Sequence, residues 1–290
     1  MGFSEVDLHL HTTASDGRLT PRQLVQFLAR SGVKYAAITD HDTTEGLAEA
    51  LDEAKRFPGL TVVPGIELSC EGPGREAHLL GLFIDHEDPE LQRDLKRLRD
   101  GREDRAQRMV EKLGELGFPV TWESVQRIAG DASIGRPHIA LALIERGYVT
   151  TTNEAFDRFL GNNGPAHVDR EKITPEEAVR KVLRHKGVPV LAHPTFSGSL
   201  DDLLPAMCSA GLLGMEVFYK GYLPDTVGWL LSLAQRHGLL PCGGSDFHGL
   251  PGHGEVDPGT VGPPVGVFKR LERLAADLRA RATSPAAATP

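Results

Sequence analysis

The sequence predicts an α/β chain in which strands alternate with helices, and the number of strands points to a barrel. Two observations carry this prediction. Short apolar runs and helical patterns follow one another for most of the 290 residues, as they do where crossover helices join parallel strands. About seven strand-like runs are present, and they fall in two blocks separated by a stretch with helical periodicity alone.

Taken in order, "EVDLHLH" (5–11) reads as the first strand. "TPRQLVQFLARSG" (20–32) is a helix with Thr20 as N-cap, Pro21 at its first position and Gly32 closing it. "KYAAITDHD" (34–42) is the second strand, and "TTEGLAEALDEAKR" (43–56) is the helix after it. "LTVVPGIELS" (60–69) and "AHLLGLFID" (77–85) are the next two strands. From 89 to 164 the strand signal disappears. A long charged helix over 89–116 leads there into helical patterns at "TWESVQRIAG", "RPHIALALIERG" and "TNEAFDRFL". The alternation resumes at "TPEEAVRKVLRHKG", where Thr174 and Glu177 form a capping box. It continues through "VPVLAHP", "LDDLLPAMCSAG", "LGMEVFY", a helix near 224–237, "LLPCGGSDFHG" and a last helix near 266–281. This organisation predicts a barrel over 1–88 and 165–282, an inserted helical subdomain over 89–164, and a disordered tail over 283–290.

Composition narrows the class. A net charge of −8 argues against binding long duplex nucleic acid, which needs an extended basic face, but leaves room for a small anion held by a few local cations. No run approaches the ~18 apolar residues of a membrane span, and "MGFSEVDLHLH" lacks the basic start of a secretory signal. Cys70, Cys208 and Cys242 are odd in number and have no CxxC spacing, so they read as thiols in a reducing compartment. The expected location is cytoplasmic, with no membrane and no obligate protein partner.

The chemistry-bearing residues gather where a β/α barrel keeps its active site, at the C-terminal ends of strands. They are His9 and His11; Asp40, His41 and Asp42; Glu67; His193; and Asp246 with His248. His78 is the exception, nearer the start of its strand. His9 and His11, two residues apart in an extended segment, face the same side. Imidazole with carboxylate suits Zn²⁺, Mn²⁺ or Fe²⁺ and is poor for Cu(I). The donors exceed the need of one tetrahedral ion and fit two or three, with a carboxylate such as Glu67 bridging. Such a cluster can bring the pKa of a shared water near neutrality and clamp both oxygens of a displacement at phosphorus.

"DLHLHTTASDG", "ITDHDT", "GIE", "AHLLG", "LAHP" and "GGSDFHG" resemble, in order, the motifs of the PHP (polymerase and histidinol phosphatase) family. The resemblance covers most of residues 4 to 250 and is most specific to stand-alone members that act as 3′,5′-nucleoside bisphosphate phosphatases and degrade short oligonucleotides 5′→3′. It implies a distorted (β/α)7 TIM-like barrel, the PHP fold, and a trinuclear site often occupied by Mn²⁺. It assigns His9, His11, Glu67 and Asp246 to one metal, Glu67, His78 and His193 to a second, and Asp16, His41 and His248 to a third. From "GRPHIA" it takes Arg136 and His138 as holders of substrate phosphate. The sequence departs from the family at "HVDREK" and at Lys220 in "EVFYKGY".

The implied reaction is hydrolysis of a phosphomonoester, the 3′-phosphate of adenosine 3′,5′-bisphosphate, to AMP and phosphate. Arg136 and His138 would grip the phosphate that stays, and the leaving oxygen would take its proton from His193, where that residue is not permanently metal-bound, or else from a metal-bound water. Rival readings are a histidinol-phosphate phosphatase, a C–N hydrolase of amidohydrolase type lacking the expected barrel lysine, and a non-catalytic metal-binding module.

Several residues carry a plainer reading beside the functional one. Asp16 precedes Gly17 and would also serve a turn. Asp42 is expected to cap a helix, and Asp40 to orient a ligand imidazole. Arg136 and His138 would also suit the opening of a helix, with Pro137 in its first turn. Arg170, Lys172 and Lys220 either touch substrate or are solvated charges. His185 and His237 precede glycines at helix ends, where a cation favours the dipole. His86, His167 and His253 read as partly exposed loop residues.

Overall fold

The computed structural model describes residues 3–72, 75–130, 134–168, 173–250 and 254–283. Of the expected tail over 283–290, Thr283 still belongs to the last helix and 284–290 lie outside the described residues, as do the candidates Arg170, Lys172 and His253. Seven strands follow one another round a single sheet: β1 Val6–Asp7, β2 Tyr35–Ile38, β3 Thr61–Gly72, β4 Arg75–Leu82, β5 Val188–Leu191, β6 Gly214–Tyr219 and β7 Leu240–Gly244. The last returns to the first. Leu8 N–H donates to Gly243 O at 3.2 Å, and Leu10 bridges Phe247 in the parallel sense. The result is a nearly closed, distorted barrel.

The helices are α1 Pro21–Ser31, α2 Leu47–Ala54, α3 Pro89–Glu115, α4 Trp122–Ala129, α5 Arg136–Glu145, α6 Thr152–Ala155, α7 Pro175–Arg184, α8 Leu200–Ala210, α9 Pro224–Arg236 and α10 Val265–Thr283. Thr20 and Thr174 cap α1 and α7 through complete capping boxes, and Gly32 ends α1 at φ 82°. The predicted helix over 152–160 is α6 followed by one π-helical turn, Phe156–Leu160. None of these helices is long and apolar enough to cross a membrane.

Two sequence expectations need correction here. The sheet is not all parallel, because β4 runs antiparallel to both β3 and β5. A parallel neighbour needs a crossover of a dozen or more residues, whereas only two residues separate Gly72 from Arg75, so the strands form a hairpin. The first strand is also shorter than 5–11. Its regular pairing stops at Asp7, and beyond it isolated backbone bonds with Gly243, Phe247 and Thr39 are joined by side-chain ones. Thr39 Oγ1, for example, accepts Leu10 N–H at 3.1 Å.

Inside the barrel, Leu8, Val63, Leu80, Val190 and Cys242 pack with Phe268 and Leu271 of α10. Outside it, Leu24 and Leu28 of α1, Val179 of α7 and Leu203 of α8 cover the sheet. A third cluster, separate from both, gathers Met109, Leu113, Ile139, Leu143 and Phe159 from the helices between β4 and β5. One close approach shapes the rim: a Cβ on Gly244 would lie 2.5 Å from His9 N, so β7 passes beside His9 only because that residue has no side chain.

Candidate metal centre

All nine donor-type residues singled out by the sequence converge on the same end of the barrel. The reversal of β4 explains His78. Its early position on an antiparallel strand is the same end as the late positions of the parallel ones, and it stands opposite Ser69 of β3. Glu67 is the hub. Its Oε2 lies 3.1 Å from His9 Nε2 and 3.2 Å from both His11 Nε2 and His41 Nδ1. Its Oε1 lies 2.8 Å from His78 Nδ1 and 3.2 Å from His193 Nε2. Asp246 Oδ1 adds 3.3 and 3.2 Å approaches to His9 and His11. Asp16 Oδ1 meets His248 Nε2 at 3.3 Å.

Among the described residues, three groups bring their donor atoms within 4.8 Å of one another: His9, His11, Glu67 and Asp246; His11, Asp16, His41 and His248; and His41, Glu67 and His78. The first is the set expected for one metal, and the second is the expected third set with His11 added. In the remaining group His41 stands where His193 was expected, while His193 still touches Glu67. The atoms fit metal ions better than they fit one another. His11 Nδ1 and Nε2 are buried without hydrogen-bond geometry to any partner, although two carboxylate oxygens lie 3.2 Å from Nε2. Nitrogen lone pairs and carboxylates aimed at common points are a divalent-ion donor set.

The electrostatics agree. Burial would raise the pKa of Glu67, but the imidazoles of His41, His9 and His78 outweigh it and hold the carboxyl well below its usual range. Asp246 and Asp16 are lowered against their burial in the same way. Burial likewise opposes charge on His11, yet Asp246 and Glu67 push its pKa up to about 10. His9 also rises well above its usual value, through Glu216, Glu67 and Asp246. In the metal-free chain this negative field holds protons, and a bound cation displaces them.

The loops that present these groups are fixed by neighbours that the sequence reading misassigned. Asp40 does not orient an imidazole. It accepts Thr12 N–H at 2.7 Å, Thr12 O–H at 2.8 Å and Ser15 O–H at 2.6 Å, and so ties down the turn carrying Asp16. Asp42 does not cap α2, whose N-cap is Gly46; its Oδ1 accepts Ser69 N–H at 3.0 Å. Asp42, His193 and Asp246 all have positive φ (51°, 25° and 49°), so backbone strain is concentrated at this rim.

Glu216 was missed. Both its oxygens lie 3.1 Å from His9 Nδ1, and Oε2 accepts His193 N–H at 2.7 Å. A carboxylate inside the apolar run "GMEVFY" was the available signal. It fixes the tautomer and aim of His9. Glu216→Gln is expected to weaken metal binding about 10–100-fold, measured by titrating metal into chelator-stripped protein; unchanged affinity would reduce Glu216 to a folding role. Tyr219 was also missed. Its O–H donates to Asp246 Oδ2 at 2.7 Å, and burial foremost pushes the phenol's pKa up, keeping it a donor.

Arg136 opens α5 at the wall of a cavity of about 200 Å³ that also contacts Asp16, His41 and His78. Its guanidinium is held by Glu76 and donates to Asn162 Oδ1 at 3.0 Å, 5.5 Å above the Phe156 ring. Glu76 in turn stands 4.0 Å from His78. Arg105, hidden from sequence reading among the charges of α3, is buried and lines the same cavity. His138 is buried, and its Nδ1 accepts Gly135 N–H at 3.0 Å, as a residue opening a helix would. Lys220 donates to Asp246 O at 2.7 Å and pairs with Glu255 at 3.4 Å, on the edge of a cavity of about 580 Å³ on the Asp16–His248 side. His185 and His237 terminate α7 and α9, and His185 also meets Asp88 at 3.1 Å. His86 and His167 are partly buried, away from the donors, and each offers its backbone carbonyl to a side chain, Gln92 and Lys112 respectively.

The sequence profile of the PHP domain matches residues 7–164. The 3′,5′-nucleoside bisphosphate phosphatase of Chromobacterium violaceum is 33% identical over 279 residues, 93% of this chain and 97% of that protein. The chain belongs to the PHP family. The 5′-3′ exoribonuclease Rnm of Escherichia coli is 35% identical over 247 residues, 83% of this chain and 84% of that one. A solved structure from Bifidobacterium adolescentis, described as a metal-dependent phosphoesterase, superposes with a TM-score of 0.83 at 33% identity, covering 93% of this chain and 96% of that chain. The PHP barrel found here, with its His, Asp and Glu clusters, is thus that of a metal-dependent phosphoesterase, a hydrolase.

Proposed function

We propose that this PHP enzyme removes the 3′-phosphate from nucleoside 3′,5′-bisphosphates, adenosine 3′,5′-bisphosphate giving AMP and phosphate. The observation that supports this most is the placing of Arg136 one carboxylate away from the donor cluster, through Glu76 to His78. A substrate with two phosphates has one for the cluster and one for that arginine. His9, His11, Glu67, Asp246, Asp16, His41, His248 and His78 are read as the groups that hold two or three divalent ions, with Mn²⁺ first among Mn²⁺, Zn²⁺ and Fe²⁺. Such ions supply Lewis-acid polarisation of the phosphoryl group and activation of water.

The chain's own residues do the rest. Arg136, preset by Glu76 and Asn162, holds the uncleaved phosphate and so fixes the other in place. Arg105 makes the same wall positive. His193, its backbone held by Glu216 in a strained conformation, is the proton donor to the leaving 3′-oxygen. The helices over 89–164 form a cap whose separate apolar cluster supports Arg136 above the barrel. Arg170 and Lys172 stay candidates for substrate contact. The enzyme is read as cytoplasmic, with small phosphorylated substrates and no obligate protein partner.

A second reading, stepwise 5′→3′ removal of nucleotides from a short oligonucleotide, is favoured by the cavity of about 580 Å³ beyond Asp16 and His248, which gives a following nucleotide room. The deciding experiment is phosphate release from adenosine 3′,5′-bisphosphate by Mn²⁺-loaded protein, alongside 5′-phosphorylated oligonucleotides and histidinol phosphate. Preference for the bisphosphate is the expected result; turnover of histidinol phosphate alone would overturn the reading.

A further inference from the structure

Phe196 is one of six large apolar side chains left exposed among the described residues. Its ring is 56% exposed, yet the turn that carries it, Pro194–Phe196, is firmly built. Phe196 N–H donates to His193 O at 3.0 Å, and the Thr195 hydroxyl pairs with the Tyr222 hydroxyl at 2.8 Å. A single exposed apolar side chain needs no explanation by exposure alone, so a role for Phe196 has to come from its position.

Its position supplies one. The turn begins immediately after His193, which touches Glu67, so the ring sits beside the donor cluster. It borders a cavity of about 400 Å³ whose other walls include His78, His193, Arg136, Phe156 and Asn163. The neighbouring rings of His193 and Tyr219 lie at 64° and 66° to it, so neither is stacked on it. Arg136 and Phe156 border both this cavity and the smaller one over the donors, which makes the two spaces adjoin.

We infer that Phe196 and this cavity form a nucleobase subsite, in which the exposed ring stacks on the base of the nucleotide whose phosphate meets the donor cluster. The inference rests on the nucleotide reading above and gives it a specificity element. In a site so rich in carboxylates, anionic groups are tolerated only beside cations or metals. A neutral planar base meets no such penalty against an aromatic face, and stacking accepts any base. The side chains of Asn162 and Asn163 stand at the same loop with amides to offer to a base edge.

Two variants test this. Because the ring is exposed, Phe196→Ala leaves the fold intact. The ratio of its kcat/KM for adenosine 3′,5′-bisphosphate to that for glycerol 2-phosphate, which has no base, is expected to fall about tenfold or more, the scale of one base–aromatic stack. Phe196→Trp is expected to preserve the ratio and to show fluorescence quenching by AMP but not by ribose 5-phosphate, over any response of wild-type Trp122 and Trp229. An unchanged ratio in Phe196→Ala, or equal quenching by both ligands, overturns the subsite and points to the cavity beyond Asp16 for the base. The quenching needs no turnover, so a failed phosphatase reading and a failed base subsite give different results.

Discussion

Glu67→Gln is expected to lose metal and activity together. The side chain is fully buried, and its two oxygens face the imidazoles of His9, His11, His41, His78 and His193 within 3.2 Å. Glutamine has nearly the same volume, so packing survives. The change removes the one charge common to two of the three donor groups and turns an amide N–H₂ toward nitrogens that should face a cation. Metals contribute several kcal/mol to such a transition state, and each 1.36 kcal/mol is tenfold in rate, so phosphate release should fall by about 10³ or more. Two further readings separate metal loss from misfolding. Elemental analysis should find fewer ions per chain. The thermal stabilisation by added Mn²⁺, about 2.7 kcal/mol where the free ion stands at 100 times its Kd, should shrink. A Glu67→Gln protein with wild-type metal content and full activity would remove Glu67 from the centre.

Arg136→Ala is expected to act on one class of substrate only. The guanidinium is held from two sides, by Glu76 and Asn162, and lies over Phe156, so little freedom remains to be lost when it binds phosphate. A charge-assisted hydrogen bond contributes about 1.5–3 kcal/mol, and removing the arginine also leaves Glu76 uncompensated beside the substrate. For adenosine 3′,5′-bisphosphate, kcat/KM should therefore fall about 10²-fold or more, while 3′-AMP, which lacks the second phosphate, should be hydrolysed at nearly its original rate. Arg136→Lys should restore little, because an ammonium cannot replace a planar fork already seated on a ring and a carboxylate. Equal losses on both substrates would move Arg136 to the phosphate being cleaved.

What the sequence made legible was the chemistry at strand ends; what it concealed was direction and depth. Repeated histidines and carboxylates after apolar runs marked the rim, because few other reasons put so many of them there. Strand direction cannot be read from an apolar run, and so β4 was taken as parallel. The one sign of its reversal was His78, on the wrong end of its run until the hairpin at Gly72–Arg75 turns it round. Asp40 and Asp42 show a second limit. Carboxylates flanking a histidine in sequence bond to the loop and to Ser69, since successive residues of an extended chain point to opposite sides. Glu216 shows the third: inside "GMEVFY" it reads as one polar residue in a strand, and only the fold brings it to His9.

The reversed strand also has a bearing on the order in which the chain assembles. Glu67 and His78 are joined across a hairpin, 11 residues apart, whereas Glu67 and His193 are 126 apart and His9 and Glu216 are 207 apart. Hairpins form in about 1–10 μs, while contacts that close long loops must first overcome a larger loss of chain entropy. Had β4 followed a crossover helix like its neighbours, Glu67 would have met every one of its imidazole partners only across a crossover or a longer loop. With the hairpin, two donors stand together before the barrel closes, and the remaining histidines arrive at a seed that is already in place.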